Sequence, residues 1–292
     1  MSTAVDLNRG SDGLSLPASV SAEILGKTVE ASVIQAASRR VTLPGNGAFI
    51  SVITGEPIAD WVGETEAKPV SNGSAAHKLV RPYKLSVIET FSNEYRRDLS
   101  ALYGALVERL PAALALKFDR TVFHGSAPGS DFDTFASIAT QDIETDTYTG
   151  LVAALETIAD NDYDANGVII APQGEAQILK AVDDQNRPLF IENLQAEGAI
   201  GSVLGRPVFK SRAAYDAGPP RALGVMGDWT QAVYGAVNDV TVRISDQATL
   251  TAGESTINLF QQNMFAVLAE IEVGFRLGDA DAFVKLTGED AS

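Results

Sequence analysis

Apolar residues recur three and four positions apart between Ser92 and Gly125, which places them on one face of an α-helix. The pattern predicts a single helix of roughly 45–50 Å, at a rise of about 1.5 Å per residue. Pro111 lies inside it, and we expect a bend there rather than a break. The apolar positions are Leu99, Leu102, Tyr103, Leu106, Leu110, Leu114, Phe118 and Val122.

Apolar and polar residues alternate from Met264 to Arg276, a pattern typical of a β-strand with one buried face. Such a strand is longer than the common length of about five or six residues. Gly278–Asp281 is predicted to turn the chain, so that Ala282–Leu286 pairs back on the long strand. The residues expected on the buried face are Phe265, Val267, Ala269, Ile271, Val273, Phe275 and Leu277.

A hairpin of alternating segments is predicted before the long helix. Val52-Ile53 and Ile58–Gly63 are predicted strands, and Glu64–His77 is the predicted tip because Asn72-Gly73-Ser74 favours a tight turn. Leu79–Phe91 is predicted to return as one long strand.

An isolated two-stranded hairpin is only marginally stable in water, so apolar residues on it predict that a partner covers them. The alternative is that the hairpin folds back on the core of its own chain. The candidate contact residues are Trp61, Val62, Lys68, Val70, Lys78, Leu79 and Arg81.

A separate α/β lobe is predicted after the long helix. Its helices are expected at Tyr148–Ala159, with Leu151, Val152, Leu155 and Ile158 inward, and from Pro172 to Val182. Its strands are expected at Gly167–Ala171, Val203–Ser211, Leu223–Gly227 and Val233–Ile244. Residues 1–48 show no compact core, and two interpretations stay open: a flexible terminus, or an arm that becomes ordered against neighbouring chains.

The composition narrows the possible functions. A chain of 292 residues has room for a sizeable core and two lobes. Its net charge of −16 disfavours tight wrapping of nucleic acid, because proteins that neutralise phosphates collect Lys and Arg. The chain has no cysteine and two histidines, which excludes thiolate and histidine-rich metal centres and fits a reducing compartment. No apolar run is long enough to cross a bilayer.

Three motifs resemble known chemical sites, but their residues do not fit that chemistry. Asp160–Gly167 has the acidic spacing of a calcium loop, but Ala165 stands where the sharp turn needs Gly and Ala171 where the bidentate Glu belongs. His124 lies beside Ser126 with no orienting carboxylate identifiable. Gly45-Asn46-Gly47 does not connect a strand to a helix as a dinucleotide loop must. The sequence therefore predicts no enzyme, no cofactor and no metal.

The order of these parts resembles the tailed-bacteriophage major capsid proteins, with their Hong Kong phage-type shell fold, over about Val41 to Gly288. Five stretches in this order carry the resemblance, and together they are more specific than any one alone. They are Val87–Glu94 entering the helix, Asp119–Gly125 at its end, Leu204–Val208, Gly227–Trp229 and Phe265–Leu286.

The resemblance implies an α+β fold with named parts. Residues 1–48 would be the N-terminal arm, and 49–91 the extended β-hairpin loop with a strand of the peripheral domain. Residues 92–146 would hold the spine helix and its connection, 147–254 the α/β axial domain, and 255–292 the long C-terminal strands of the peripheral domain.

The resemblance also implies a function and partners. The chain would assemble with itself into hexamers and pentamers of an icosahedral shell, enclosing double-stranded DNA without sequence-specific binding. It would be a virion component, assembled in the host bacterial cytoplasm without a membrane. A portal protein and decoration proteins are further expected partners. So is a separate scaffolding protein, because the chain has no room for the long scaffolding region of some members.

Cross-linking and two alternative functions complete the expectations. Some family members cross-link a loop lysine to a neighbour's asparagine. Lys68 and Lys78 are the loop lysines here, but no Asn partner is identifiable and cross-linking is disfavoured.

Two alternative functions stay open. The first alternative is an encapsulin-like compartment, which shares the fold and holds a cargo enzyme. The second is a cytosolic hydrolase with an unrecognised site.

Overall fold

The computed structural model describes residues 27–28, 32–54, 59–63, 68, 70, 74–94, 99–181, 201–237, 241–252 and 255–288. In these ranges the fold is α+β, as predicted. The helices are α1 (Val33–Ala37), α2 (Leu99–Phe123), α3 (Thr147–Asp160) and α4 (Pro172–Leu179). The strands are β1 (Arg39–Thr42), β2 (Ala48–Thr54), β3 (Ser74–Val80), β4 (Tyr83–Ser92), β5 (Ala139–Asp142), β6 (Gly167–Ile170), β7 (Ser202–Val203), β8 (Arg206–Lys210), β9 (Arg221–Gly227), β10 (Ala232–Ala236), β11 (Thr241–Ser245), β12 (Thr249–Ala252), β13 (Ser255–Asn258), β14 (Met264–Leu277) and β15 (Phe283–Gly288).

The chain divides into two compact units. One unit draws on residues 1–36, 84–119 and 238–272, and the other on residues 37–83, 120–237 and 273–292. Both α2 and β14 pass from one unit into the other along the chain. The predicted domain boundaries follow the resemblance instead, and they stay a prediction.

The long helix is confirmed in its second half. Helix α2 has 25 residues from Leu99 to Phe123, about 37 Å. The predicted start at Ser92 is wrong, because Ser92 is the last residue of β4, and residues 95–98 of the predicted helix lie outside the described residues. It continues through Pro111 and ends at Phe123, where the N–H of Gly125 donates to the carbonyls of Arg120 and Thr121. Among the predicted apolar positions Leu110, Leu114, Phe118 and Val122 are buried. The side chains of Leu99, Leu102, Tyr103 and Leu106 lie outside the described part.

The long strand β14 is confirmed, and its predicted face is buried at every second residue from Phe265 to Leu277. Its first part pairs antiparallel with β11, where Val242 lies opposite Ala269. Its last part pairs antiparallel with β10, where Tyr234 lies opposite Phe275. Strand β1 then adds to β10 in parallel. The strand is long because different partners cover successive parts of it.

The expected return of the chain onto β14 is wrong. Strand β15 instead joins a six-stranded sheet of order β5-β15-β9-β6-β8-β7, antiparallel to β9 and parallel to β5. Successive residues Phe283 and Val284 are both fully buried. Because neighbouring side chains point to opposite faces of a strand, both faces of β15 must be covered: Val284 packs in the apolar core that includes Leu151 and Ile158 of α3, and Phe283 packs against Phe135.

The α/β lobe matches the prediction with four corrections. The predicted strand Val233–Ile244 is divided into β10 and β11, and both pair with β14 instead of joining the six-stranded sheet. Helix α3 buries Leu151 and Ile158 as expected, but Val152 lies on the solvent side, because adjacent helical residues differ in direction by about 100°. Helix α4 ends at Leu179, short of the predicted Val182. The predicted strand Val203–Ser211 is a tight hairpin, because Leu204 and Gly205 both take positive φ.

An aromatic cluster forms the centre of the second unit. The ring of Phe135 lies 5.1 Å from that of Phe283, 5.7 Å from Trp229 and 5.7 Å from Phe275, measured between centroids. Phe135, Phe275 and Phe283 are fully buried. Their edge-to-face and tilted geometries are those that aromatic quadrupoles favour. The cluster ties the ends of β14 and β15 to the segment that follows α2.

The hairpin before α2 forms with a different register from the one predicted. Strands β2 and β3 pair from Ala48 opposite Val80 to Thr54 opposite Ser74. His77 therefore lies in a strand rather than in the tip, and residues 59–63 are not a strand. The returning strand is interrupted at Arg81-Pro82, because proline cannot donate a ladder hydrogen bond.

Candidate subunit interface

The β2–β3 hairpin has one face against its own chain and one face open. The register places Ile50 and Val80 on the inner face, where both are buried with Leu43 and Val233 in a small apolar cluster. Phe49 lies on the opposite face and is 71% exposed. The alternation of a strand therefore fixes the hairpin by its inner side chains and presents the others outward.

The segment beyond β2 carries further uncovered apolar side chains. Trp61 is 99% exposed and Val70 is 86% exposed. Lys68 is exposed and Val62 is half-buried. The backbone N–H of Trp61 donates to the carboxylate of Asp60 at 2.8 Å. Apolar side chains of this size that are left exposed are candidates for burial against a partner.

The other three predicted contact residues instead anchor the hairpin. The ammonium of Lys78 donates to the carbonyls of Leu277, at 3.0 Å, and Gly278, at 2.9 Å. The carbonyl of Leu79 accepts from the Nε of Arg276 at 3.0 Å. Arg81 lies 3.9 Å from a carboxylate oxygen of Asp131. These contacts make Trp61 and Val70 the outward candidates among the predicted residues.

Phe49 was missed in the sequence because the predicted strand began at Val52. The signal was available in Ala48–Thr54, where Phe49 and Ser51 share the face opposite Ile50. The exposed apolar residues of the hairpin and its connection, called the loop patch, are Phe49, Trp61 and Val70.

The N-terminal segment is attached to α2 through one buried carboxylate. Asp119 accepts hydrogen bonds from the hydroxyl of Ser32 at 2.6 Å and from the backbone N–H of Val33 at 3.1 Å. Burial raises the pKa of Asp119 to about 6, although these hydrogen bonds act in the opposite direction. Asp119 thereby satisfies an N–H at the start of α1 that has no partner within the helix.

The residues predicted for the spine helix and the long strand are buried in the core wherever their side chains are described, so they do not form part of the exposed surface. Leu110, Leu114 and Phe118 on α2 are each at most 2% exposed. Pro111 is buried too. The predicted positions of β14, including Ile271 and Val273, are at most 4% exposed.

The disfavoured motifs have structural partners. In the Asp160–Gly167 turn, Asp164 accepts from Arg206 and the Asn166 amide donates to Asp228. His124 contacts the carbonyl of Ala214 at 2.9 Å, and burial lowers its pKa. Within the described ranges, no three His, Asp or Glu side chains are grouped as metal ligands would be. Across those same residues, no helix combines the length and hydropathy of a membrane span.

Comparisons with known proteins agree with this geometry. The probable major capsid protein gp17 of Mycobacterium phage D29 is 30% identical over 278 residues, covering 88% of this chain and 84% of that one. A solved chain of Gordonia phage Cozz superposes with a TM-score of 0.70 at 23% identity, over 89% of this chain and 87% of that one.

A solved capsid chain of an empty GTA particle, computed with C5 symmetry, has a TM-score of 0.65 at 16% identity, over 98% of this chain and 95% of that one. The model of the phage capsid family matches residues 12–288. The chain therefore belongs to the phage capsid family, which confirms both its resemblance to tailed-phage major capsid proteins and its predicted fold class.

Proposed function

We propose that this major capsid protein assembles with itself into pentamers and hexamers of an icosahedral virion shell that encloses double-stranded DNA. The observation that carries the proposal is the loop patch, with Trp61 99% exposed on a hairpin whose inner face is already occupied. A neighbouring copy of the chain is the partner that would cover it. The relatives described above are named as capsid proteins, and a structural role without enzymatic activity belongs to the same proposal.

The energy available from the patch is large enough to drive association. An aromatic side chain buries about 150–250 Å², and apolar burial contributes about 25 cal/mol per Å², so Trp61 could supply about 4–6 kcal/mol before ordering costs. Association costs translational and side-chain entropy, so one such contact makes a weak dimer at most. A closed lattice repeats the contact at every subunit and makes the sum favourable.

Because the shell contains both pentamers and hexamers, the same contacts between subunits must form at different angles between neighbouring subunits. A loop patch on a projecting hairpin can meet its partner while the rest of the subunit adopts another tilt. The GTA capsid with this fold was computed with C5 symmetry, which fits subunits of this fold arranged about a five-fold axis. Packed interfaces move between discrete arrangements, so expansion as DNA enters fits the same design.

The charge of the chain fits loose enclosure of DNA. A subunit with a net charge of −16 repels phosphates over most of its surface, so DNA would be held by closure of the shell rather than by affinity. Assembly in the host bacterial cytoplasm with separate scaffolding, portal and decoration proteins belongs to the same proposal. The relatives described above offer no support for the encapsulin-like alternative.

The test replaces the central aromatic residue of the loop patch. We expect Trp61→Ala to fold with the circular dichroism spectrum of the unaltered protein but to form no shells in negative-stain electron microscopy. Trp61→Phe keeps most of the apolar area and should form shells. Normal shells from Trp61→Ala, or a monomer of the unaltered chain at high concentration, would contradict the proposal. Mass spectrometry of particles recovered from infected cells should find portal protein and DNA rather than a cargo enzyme.

A further inference from the structure

A buried guanidinium lies where the hairpin meets the end of the long strand. The side chain of Arg276 is only 15% exposed. Its Nε donates to the carbonyl of Leu79 on β3, at 3.0 Å. One terminal nitrogen donates to Asp133 at 2.8 Å and to the carbonyl of Ser130 at 3.2 Å. A single planar group therefore links the hairpin to two further points of the chain.

The anchoring carboxylate is itself held in place. The second oxygen of Asp133 accepts from the backbone N–H of Leu277 at 3.0 Å, and its own N–H donates to the carbonyl of Phe275 at 3.0 Å. The other terminal nitrogen of Arg276 lies 3.7 Å from Asp131. Charge-assisted hydrogen bonds of this kind are directional and are stronger than neutral ones. The guanidinium is therefore held in place by contacts outside the hairpin, in addition to its contact with Leu79.

Lys78 forms a second tie to the same strand end. Its ammonium on β3 reaches across to the carbonyls of Leu277 and Gly278, while Arg276 reaches back to β3. The chain also packs closely here, because a Cβ on Gly274 would overlap the carbonyl of Arg81. Two reciprocal cationic contacts and one close backbone contact hold the base of the hairpin against the end of β14 within the same unit.

We infer that Arg276 is the positioning residue of the extended loop, and that shell assembly depends on the loop direction that it sets. This inference rests on the proposed function, because it assigns the residue that aims the loop patch at a neighbouring subunit. Strand β2 has seven residues and spans about 24 Å, so a change of about 5° at its base moves its far end by about 2 Å. A displacement of that size is enough to break the contact between a loop-patch side chain and the neighbouring subunit.

The experiment measures the loop direction and the assembly product separately. Because the chain has no cysteine, the pair Lys68→Cys and Asp160→Cys places two spin labels, one on the loop and one at the end of α3. Electron–electron double resonance then gives the distribution of the distance between them. We expect Arg276→Gln to broaden this distribution at least twofold and to replace closed shells with irregular aggregates or free capsomers.

The conservative variant separates charge from geometry. Arg276→Lys keeps the positive charge but cannot contact Leu79 and Asp133 with one planar fork, so it should broaden the distribution nearly as much. The matched control is Arg206→Lys, which alters a half-buried arginine that ties the β7–β8 hairpin to the carbonyl of Ala165. This control should leave both the distribution and the shells unchanged.

The results with the Arg276 variants decide whether Arg276 sets the loop direction, and they are independent of the Trp61 result that tests the proposed function. An unchanged distance distribution, or normal shells, with both Arg276 variants would overturn the inference. If the Arg276 variants behaved normally and Trp61→Ala nevertheless failed to assemble, the proposed function would stand and only the role of Arg276 would be rejected. If Arg276→Gln did not fold, Lys78→Met would decide, since it removes only the second tie: a broadened distribution supports the inference and an unchanged one overturns it.

Discussion

The carboxylate of Asp119 on α2 accepts a 2.6 Å hydrogen bond from the hydroxyl of Ser32, 87 residues earlier in the chain. Both groups are buried, and Asp119 also accepts from the N–H of Val33. The start of α1 therefore depends on one ionisable side chain of α2. This relationship makes attachment of the N-terminal segment sensitive to protonation.

The first prediction concerns the pH dependence of stability. Because the pKa of Asp119 is raised from 3.8 to about 6, the folded subunit keeps a proton that the unfolded chain has released. This contribution to the free energy of unfolding is fully present below about pH 4 and is lost as the pH rises through about 6. Asp119→Asn should abolish that part of the slope in thermal unfolding between pH 4 and 7.

The control for this prediction is Asp160→Asn, an exposed carboxylate at the end of α3. It should keep the slope of the unaltered chain. An Asp119→Asn variant whose melting temperature varies with pH as the unaltered chain does would show that Asp119 does not couple protonation to folding.

The second prediction removes the connection between the hairpin strands. Deleting the whole predicted tip, Glu64–His77, would also remove Ser74–His77 of β3. Deleting Glu64–Gly73 spares both strands. We expect the shorter deletion to keep the unfolding midpoint of the six-stranded sheet but to form no shells. Closed particles of normal size in electron micrographs would show that this part of the loop is dispensable.

The third prediction tests the close packing at the base of the hairpin. In Gly274→Ala the added methyl group would meet the backbone carbonyl of Arg81, which cannot move away as a side chain could. We expect a loss of about 1–3 kcal/mol in the free energy of unfolding. Gly45→Ala is the matched control, since no atom lies within 4 Å of its added Cβ. Equal stability of the two variants in denaturant titrations would refute the packing argument.

The fourth prediction concerns the aromatic cluster. Phe135→Ala should destabilise the second unit by about 3–5 kcal/mol, because a fully buried ring leaves a cavity among three others. Trp229 reports on the cluster directly when Trp61 is replaced by Phe, since the chain has two tryptophans. Phe209→Ala, at a ring that is 40% exposed, should cost less than half as much. Comparable losses for both variants would contradict the central role of Phe135.

The fifth prediction concerns DNA. With a net charge of −16, the free subunit should bind double-stranded DNA weakly, with little dependence of affinity on salt concentration. Opened shells should release their DNA at low ionic strength. Fluorescence anisotropy with labelled DNA measures the first expectation. Tight binding that persists at high salt would show that a basic surface forms despite the composition.

The sequence by itself determined the elements whose signal is local. The period of 3.6 around Leu110, Leu114 and Phe118 identified α2, and the period of two from Phe265 to Leu277 identified β14. These patterns are readable because a helix face or strand face repeats within a few residues. The family resemblance followed from the order of such local pieces.

Tertiary structure alone decided which elements pair and which polar groups meet. The alternation that identified β14 carries no information on partners, so β15 was assigned to the wrong sheet. The bonds from Arg276 to Leu79 and from Asp119 to Ser32 join residues 197 and 87 positions apart, and no local period marks either of them. The hairpin register followed from burial of Ile50 and Val80 against Leu43 and Val233, because shifting it by one residue would turn those side chains to the solvent.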